Sequence, residues 1–260
     1  MKIFQTEDIR NVALIGAAKS GKTTLAENMV FEGKLINRKG TTEGKNTVSD
    51  YRPIETERGI SVNASLLHTI YNDKKINILD TPGFSDFSGD IVACLTAADM
   101  AVFTVNAQSG VEATSENAWK YATKTNKPVV FFMNQLDHSN ANFDDTVRQL
   151  REYFGDKVTP VQFPVATGEG FNSVIDLITM KMLVFKNGNG APEVQDIPAN
   201  LADKAAACSI SCSCISSALS ARLAGMSCTS GAPLPFLKTN IFIVMRSITE
   251  LKPSPVATGN

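Results

Sequence analysis

Val12-Ala13-Leu14-Ile15-Gly16-Ala17-Ala18-Lys19-Ser20-Gly21-Lys22-Thr23-Thr24 is the stretch on which the fold turns. Its first four residues are an apolar run suited to a buried strand. Gly16 to Thr23 then fits G-x-x-x-x-G-K-[ST], the pattern of a phosphate-binding loop. From Thr24 to Phe31 apolar residues recur at helical spacing. Strand, glycine loop and helix in that order are the context the motif requires. In such a loop the backbone N–H groups turn inward on the α- and β-phosphates. The Lys22 ammonium reaches the β/γ oxygens, and the Thr23 hydroxyl holds Mg²⁺. The predicted nucleotide-binding set here is Gly16, Ala17, Ala18, Lys19, Ser20, Gly21, Lys22, Thr23 and Thr24.

Working outward, strand-like and helix-like runs alternate as far as about residue 135, which predicts an α/β domain with a mostly parallel sheet. Ile60 to Ile70 alternates and is rich in β-formers, Asn72-Asp73 reads as a hairpin turn, and Lys75 to Asp80 is the returning strand. Ala101–Val105 and Pro128–Met133 read as buried strands. Helices are expected over Glu112–Thr125 and Phe143–Phe154. The segment from Asn37 to Arg58 is polar and unusually long for a connection, which marks it as a candidate switch.

Three further stations carry chemistry. Asp80-Thr81-Pro82-Gly83 fits D-x-x-G, in which the carboxylate holds a Mg²⁺ water and the Gly83 N–H senses a γ-phosphate. Asn134-Gln135-Leu136-Asp137 follows a strand and approximates N-K-x-D. There the aspartate accepts from guanine N1–H and N2–H₂, a donor pair that adenine lacks, so Asp137 selects GTP. Gln135 stands where that pattern has a lysine, with a shorter stem and no charge. Arg58-Gly59-Ile60-Ser61 ends the polar segment, and its hydroxyl is placed to close on Mg²⁺ and the γ-phosphate and to release after hydrolysis.

With these stations in order, the chain resembles the translational GTPases, and among them the G domain of elongation factor G and its paralogues. The tetracycline-resistance ribosomal protection proteins are similar. The matching text includes Asp50-Tyr51, Glu55, Glu57-Arg58-Gly59-Ile60-Ser61, Asp80 to Gly83 and Asp86-Phe87. Phe171 with Ile175-Asp176-Leu177 looks like the start of the insert these factors carry. The resemblance implies a three-layer P-loop NTPase fold with a partial α+β insert. It also implies GTP as substrate with Mg²⁺ as cofactor, hydrolysis coupled to the ribosome, and a cytoplasmic setting. Thr23, Ser61 and Asp80 are the implied metal set; Lys22 and Gly83 carry the catalytic role of stabilising developing charge. Thr81, Pro82 and Phe84 border the phosphate.

The departures are specific. Phe84 stands where the family normally has a histidine that places the attacking water, and a phenyl ring cannot hydrogen-bond a water. Lys19 replaces an aspartate that faces a monovalent cation in many relatives, so indifference to K⁺ versus Na⁺ is expected. The expected divisions are a G-domain core over 1–155, the start of the insert over 156–207, and a foreign tail over 208–260.

That tail holds one acidic residue, Glu250, against the chain's 26, with Cys208, Cys212, Cys214 and Cys228 crowded near its start. It has the character of an out-of-frame or truncated product. Ile241–Met245 reads as a possible strand or an aggregation-prone run. Pro164-Val165-Ala166-Thr167-Gly168 recurs as Pro255-Val256-Ala257-Thr258-Gly259. The cysteine spacing fits no paired zinc pattern. A net charge of −1 favours no DNA partner through a global field. No apolar run approaches the ~18 residues of a membrane span.

Overall fold

Strand β1 (Ile9–Gly16) is the axis of the molecule because its apolar run is wanted on both faces. Val12, Ala13, Leu14 and Ile15 are all 0 % exposed, as in a sheet covered on both sides. The computed structural model describes residues 3–156, 158–185 and 192–208 and the strand 241–245. β1 lies between β3 (Lys74–Asp80) and β4 (Met100–Asn106), parallel to both. β5 (Val129–Asn134) runs parallel to β4. β2 (Ser65–Tyr71) closes that edge by pairing antiparallel with β3. The chain passes from β1 to β3 on one side and to β4 on the other. The carboxyl end of β1 is therefore a topological switch point, where α/β sheets open a crevice for ligands.

Helix α1 (Lys22–Glu32) starts directly from the glycine loop and packs over β1, β2 and β3. The polar segment expected to run without structure as far as Arg58 instead ends in a short helix, α2 (Pro53–Arg58). Pro53 opens it, and Gly59 terminates it at φ 65°. α3 (Ser88–Ala97) and α4 (Ala113–Lys124) pack against β1 and each other. α5 (Phe143–Phe154) is capped by Asn142, whose side chain accepts from Asp145 N at 3.0 Å. Beneath these helices Phe103, Phe131, Phe154 and the lone tryptophan, Trp119, form an aromatic cluster.

The hairpin turns at Asn72 and Asp73, both left-handed at φ 46° and 62°, as a two-residue primed turn requires. Its first strand begins at Ser65 and not at Ile60. The preceding amides are taken by side chains: Val62 N and Asn63 N donate to Glu55 Oε1, and Ala64 N to Asp90 Oδ2.

Beyond α5 the chain adds β6 (Val158–Pro160) to the far side of the main sheet. It then builds a separate antiparallel sheet in the order β10-β9-β8-β7. Its strands are β7 (Gln162–Pro164), β8 (Ser173–Asp176), β9 (Lys181–Val184) and β10 (Glu193–Gln195). A helix, α6 (199–208), follows. The apolar run β11 (Ile241–Met245), ambiguous in the sequence, enters the main sheet between β5 and β6, antiparallel to both. The mixed sheet thus has four parallel central strands; β2 and β11 run against them, and β6, antiparallel to β11, runs in their direction. The remainder of the tail lies outside the described residues, including Cys212, Cys214, Cys228 and the second Pro-Val-Ala-Thr-Gly copy.

Candidate nucleotide site

The phosphate loop is held from three sides. Ser20 Oγ meets Thr104 Oγ1 of β4 at 2.5 Å, and Asn134 Nδ2 at the end of β5 donates to Ser20 O at 2.8 Å. Gly21, at φ 99°, lies so close to Asn134 that a Cβ would stand 2.0 Å from its Nδ2. On the third side a Cβ on Gly83 would meet Ala18 N at 2.5 Å and Lys22 Nζ at 2.6 Å. Glycine is demanded at 21 by its positive φ and at 83 by the close approach of the Ala18 backbone. Lys19, at φ 61°, is exposed at the loop tip.

Lys22 is buried, and its ammonium donates to Gly16 O at 3.0 Å and Ala17 O at 2.7 Å. Burial pushes its pKa down to about 8, against the opposing pull of the Asp80 and Glu112 charges. The cation thus folds back on its own loop.

Thr23, Ser61 and Asp80, distant in sequence, come together. Thr23 Oγ1 donates to Asp80 Oδ2 at 2.8 Å and lies 3.3 Å from Ser61 Oγ. Two residues without a sequence-assigned role join them. Ser49 Oγ donates to Asp80 Oδ2 at 2.6 Å, and Ser61 Oγ donates to Asp50 Oδ1 at 2.7 Å. Burial raises the Asp80 pKa to about 6, although the Ser49 and Thr23 hydroxyls and the Lys22 charge pull it down. Asp50 is also raised, chiefly by burial.

Asp80 Oδ1 is buried with no hydrogen-bond partner. One orphaned carboxylate oxygen beside two hydroxyls is a hard-oxygen donor set suited to Mg²⁺, which takes one or two carboxylates and completes its shell with phosphates and water. Among the described residues no cluster of three or more His, Cys, Asp or Glu offers a competing metal site.

The candidate switch is tethered by two buried carboxylates that sequence reading did not single out for this work. Glu27 of α1 accepts from Gly40 N at 2.7 Å through Oε1 and from Val48 N at 2.9 Å through Oε2. Glu55, through the contacts that cut β2 short, fixes the backbone immediately after Ser61. Both are 1 % exposed. A glutamate at the helical face that also carries Val30 is the available clue for Glu27; nothing in the sequence marks its two amide partners.

The remaining predicted residues divide. Thr81 is fixed to β1 by its Oγ1, which donates to Leu14 O at 2.7 Å, and Pro82 and Gly83 are buried beside it. Phe84 is 38 % exposed. Asn134 accepts from Gln135 N at 2.8 Å through Oδ1, and Gln135 has a left-handed φ of 62°. Asp137 is exposed on the same turn.

A family described as the elongation factor Tu GTP binding domain matches residues 7–229. An elongation factor G-like protein of Thermotoga maritima is 32 % identical over 197 residues, 76 % of this chain and 28 % of that protein. Elongation factor G of Granulibacter bethesdensis is 35 % identical over 202 residues, 77 % of this chain and 29 % of that protein. The chain therefore spans less than a third of the length of these curated relatives. A solved structure from Thermus thermophilus superposes with a TM-score of 0.74 at 28 % identity, covering 86 % of this chain and 34 % of its own.

Proposed function

Because the chain belongs to the elongation factor Tu GTP-binding domain family, with a P-loop NTPase fold, we propose that it binds GTP with Mg²⁺ and hydrolyses it slowly, as the nucleotide-binding part of an elongation factor G-like translation factor that acts on the ribosome. The observation that carries this reading is the convergence of Lys22, Thr23, Ser61 and Asp80 at the carboxyl ends of β1 and β3, with Asn134 of β5 bonded into the same loop. Within it, residues 1–155 form the core and 156–207 begin an insert.

The chemistry follows from these positions. Lys22 and the inward amides of Gly16 to Thr24 neutralise the polyphosphate and its developing charge. Thr23, Ser61 and Asp80 would hold Mg²⁺, which when bound supplies charge neutralisation at the β- and γ-oxygens. Gly83, pressed against Ala18 and Lys22, brings its amide to the terminal phosphate. Asp137 takes the guanine edge. Displacement of a fluorescent guanine nucleotide by GTP and ATP tests the base assignment; equal displacement rejects it.

Phe84 favours a second reading, a nucleotide-dependent ribosome-binding module without turnover, since this side chain can neither orient nor deprotonate water. Single-turnover hydrolysis with and without ribosomes separates the two. Ribosome-stimulated turnover rejects the passive module, and tight GTP binding without turnover rejects the enzyme.

A further inference from the structure

Asp80 is the last residue of β3, and its carboxylate is gripped through one oxygen. Oδ2 accepts from two hydroxyls, Thr23 at 2.8 Å and Ser49 at 2.6 Å. Oδ1 is buried with no hydrogen-bond partner. The backbone around Ser49 is braced on both sides. Its carbonyl accepts from Ser65 Oγ at 2.7 Å, and Ser65 lies directly opposite Asp80 in the β2–β3 ladder. The amide of the preceding residue, Val48, donates to Glu27 Oε2 at 2.9 Å. Ser49 thus spans one residue pair of the hairpin, with its carbonyl on Ser65 and its hydroxyl on Asp80. Ser49 and Ser65 are both buried, so solvent does not compete for these bonds.

We infer that Ser49 is a positioning residue of the metal site, holding Oδ2 of Asp80 so that Oδ1 stays available to Mg²⁺ or to one of its waters. The inference rests on the GTP and Mg²⁺ reading above. A free carboxylate turns about its last bond and exchanges its two oxygens; two donors on the same oxygen oppose that turn. Thr23, the other donor, is itself assigned to the metal. Ser49 is outside that set, so its hydroxyl stays committed to the carboxylate when the cation is bound. It acts through Asp80 and touches no reacting atom. Hydrogen bonds of this kind to a ligating carboxylate govern metal affinity by about 10–100-fold. Ser49 also lies in the polar segment between Asn37 and Arg58, so retention of the metal is coupled to the docking of that segment on the hairpin.

The test measures affinity for the fluorescent nucleotide mant-GDP in Mg²⁺ and in EDTA, using the full chain as wild type, Ser49→Ala and Ser49→Cys. The ratio of the two affinities isolates the contribution of the metal. Alanine removes the donor, and cysteine keeps the shape of the side chain with only a weak S–H donor. Either variant serves if circular dichroism shows that the other does not fold. The expected result is a ratio lowered about tenfold in both variants, with affinity in EDTA within about twofold of wild type. A wild-type ratio in a folded variant overturns the inference. So does an equal loss in Mg²⁺ and in EDTA, which is the signature of a structural role. Cd²⁺ separates positioning from direct ligation, because a thiolate prefers a soft metal. If Cd²⁺ restores Ser49→Cys to the affinity of wild type in the same metal, Ser49 is a ligand and the assignment is overturned; absence of rescue supports it. A wild type that does not bind mant-GDP, or binds it equally in Mg²⁺ and EDTA, overturns the functional reading itself, and this inference with it.

Discussion

Replacing Lys22 by methionine should make the nucleotide-free protein more stable while abolishing nucleotide binding. A lysine whose pKa is about 8 instead of 10.5 carries its charge in the fold at a cost of about 3 kcal/mol. Methionine matches the unbranched stem and fills the same space without a charge. Against this gain stand the two bonds from Nζ to Gly16 O and Ala17 O, whose loss costs about 1–2 kcal/mol. The net is a stabilisation of about 1–2 kcal/mol at pH 7. That corresponds to about 2–8 °C in Tm for a chain of this size.

The sign with pH is definite. The folded pKa is depressed, so between 8 and 10.5 the unfolded chain holds a proton that the native protein has lost, and wild-type stability rises through that window. The advantage of methionine is therefore full below pH 8 and shrinks steadily above it. The assay is urea unfolding in EDTA without nucleotide, followed by fluorescence of the single tryptophan. Trp119 lies 4.8 Å from Phe154 between ring centroids, so its emission reports the core. A variant less stable than wild type by about 1 kcal/mol at pH 7, or a difference that does not change between pH 7 and 9.5, refutes the reasoning.

Three further outcomes are expected. Glu27→Gln leaves one of the Gly40 and Val48 amides facing a donor; it should cost about 1–3 kcal/mol and speed hydrogen exchange at those two amides, and unchanged exchange would count against the tether. With its pKa raised to about 6, Asp80 in the nucleotide-free protein takes up a proton between pH 6 and 3.8 that the unfolded chain does not, so its contribution to stability falls as pH rises through that window. Mg²⁺-dependent nucleotide affinity should accordingly be flat from about pH 6.5 to 7.5 and weaken about tenfold per unit below 6, and a pH-independent affinity in titration calorimetry would contradict the assignment of Asp80. Gly83→Ala places a methyl 2.5 Å from Ala18 N, so single-turnover hydrolysis should fall more than about tenfold while the overall fold, read by circular dichroism, is kept; full activity would show that the turn has room to spare.

The sequence made the central strand legible because Val12–Ile15 is buried on both faces and therefore apolar throughout. Asn72-Asp73 was equally readable, since two consecutive left-handed residues demand that chemistry. Gly16 to Thr23, Asp80 and Ser61 could be found because each motif fixes local spacing. Ser49, Asp50 and Glu27 could not. Their roles come from tertiary hydrogen bonds spanning 31, 11 and 13 residues, and a hydroxyl in a polar segment looks like any other. The early end of β2 was hidden for the same reason: Glu55 and Asp90 capture amides that periodicity alone assigns to a ladder. β11 was ambiguous because an apolar pentapeptide signals burial without saying against what, and its antiparallel place beside β5 is decided by the sheet.

The two charges at the heart of the site explain why a fold would keep so costly an arrangement. Lys22 and Asp80 each partly offset the other's charge, yet burial dominates at both. Lys22 spends its donors on carbonyls of its own loop, and Asp80 leaves one oxygen without any partner. Neither deficit can be repaired by moving the pair together, because each charge is also held by neighbours that fix the loop and the turn. A polyphosphate would supply oxygens to the ammonium, and a divalent cation would satisfy the orphaned carboxylate oxygen. On the proposed function, the same residues that lower the stability of the nucleotide-free protein would be the source of nucleotide affinity, since binding is strengthened by whatever free-state cost it removes. Stabilising substitutions at Lys22 or Asp80 and loss of nucleotide affinity should therefore be inseparable, whereas at Ala118 or Leu150, in the apolar core, stability and affinity should vary independently.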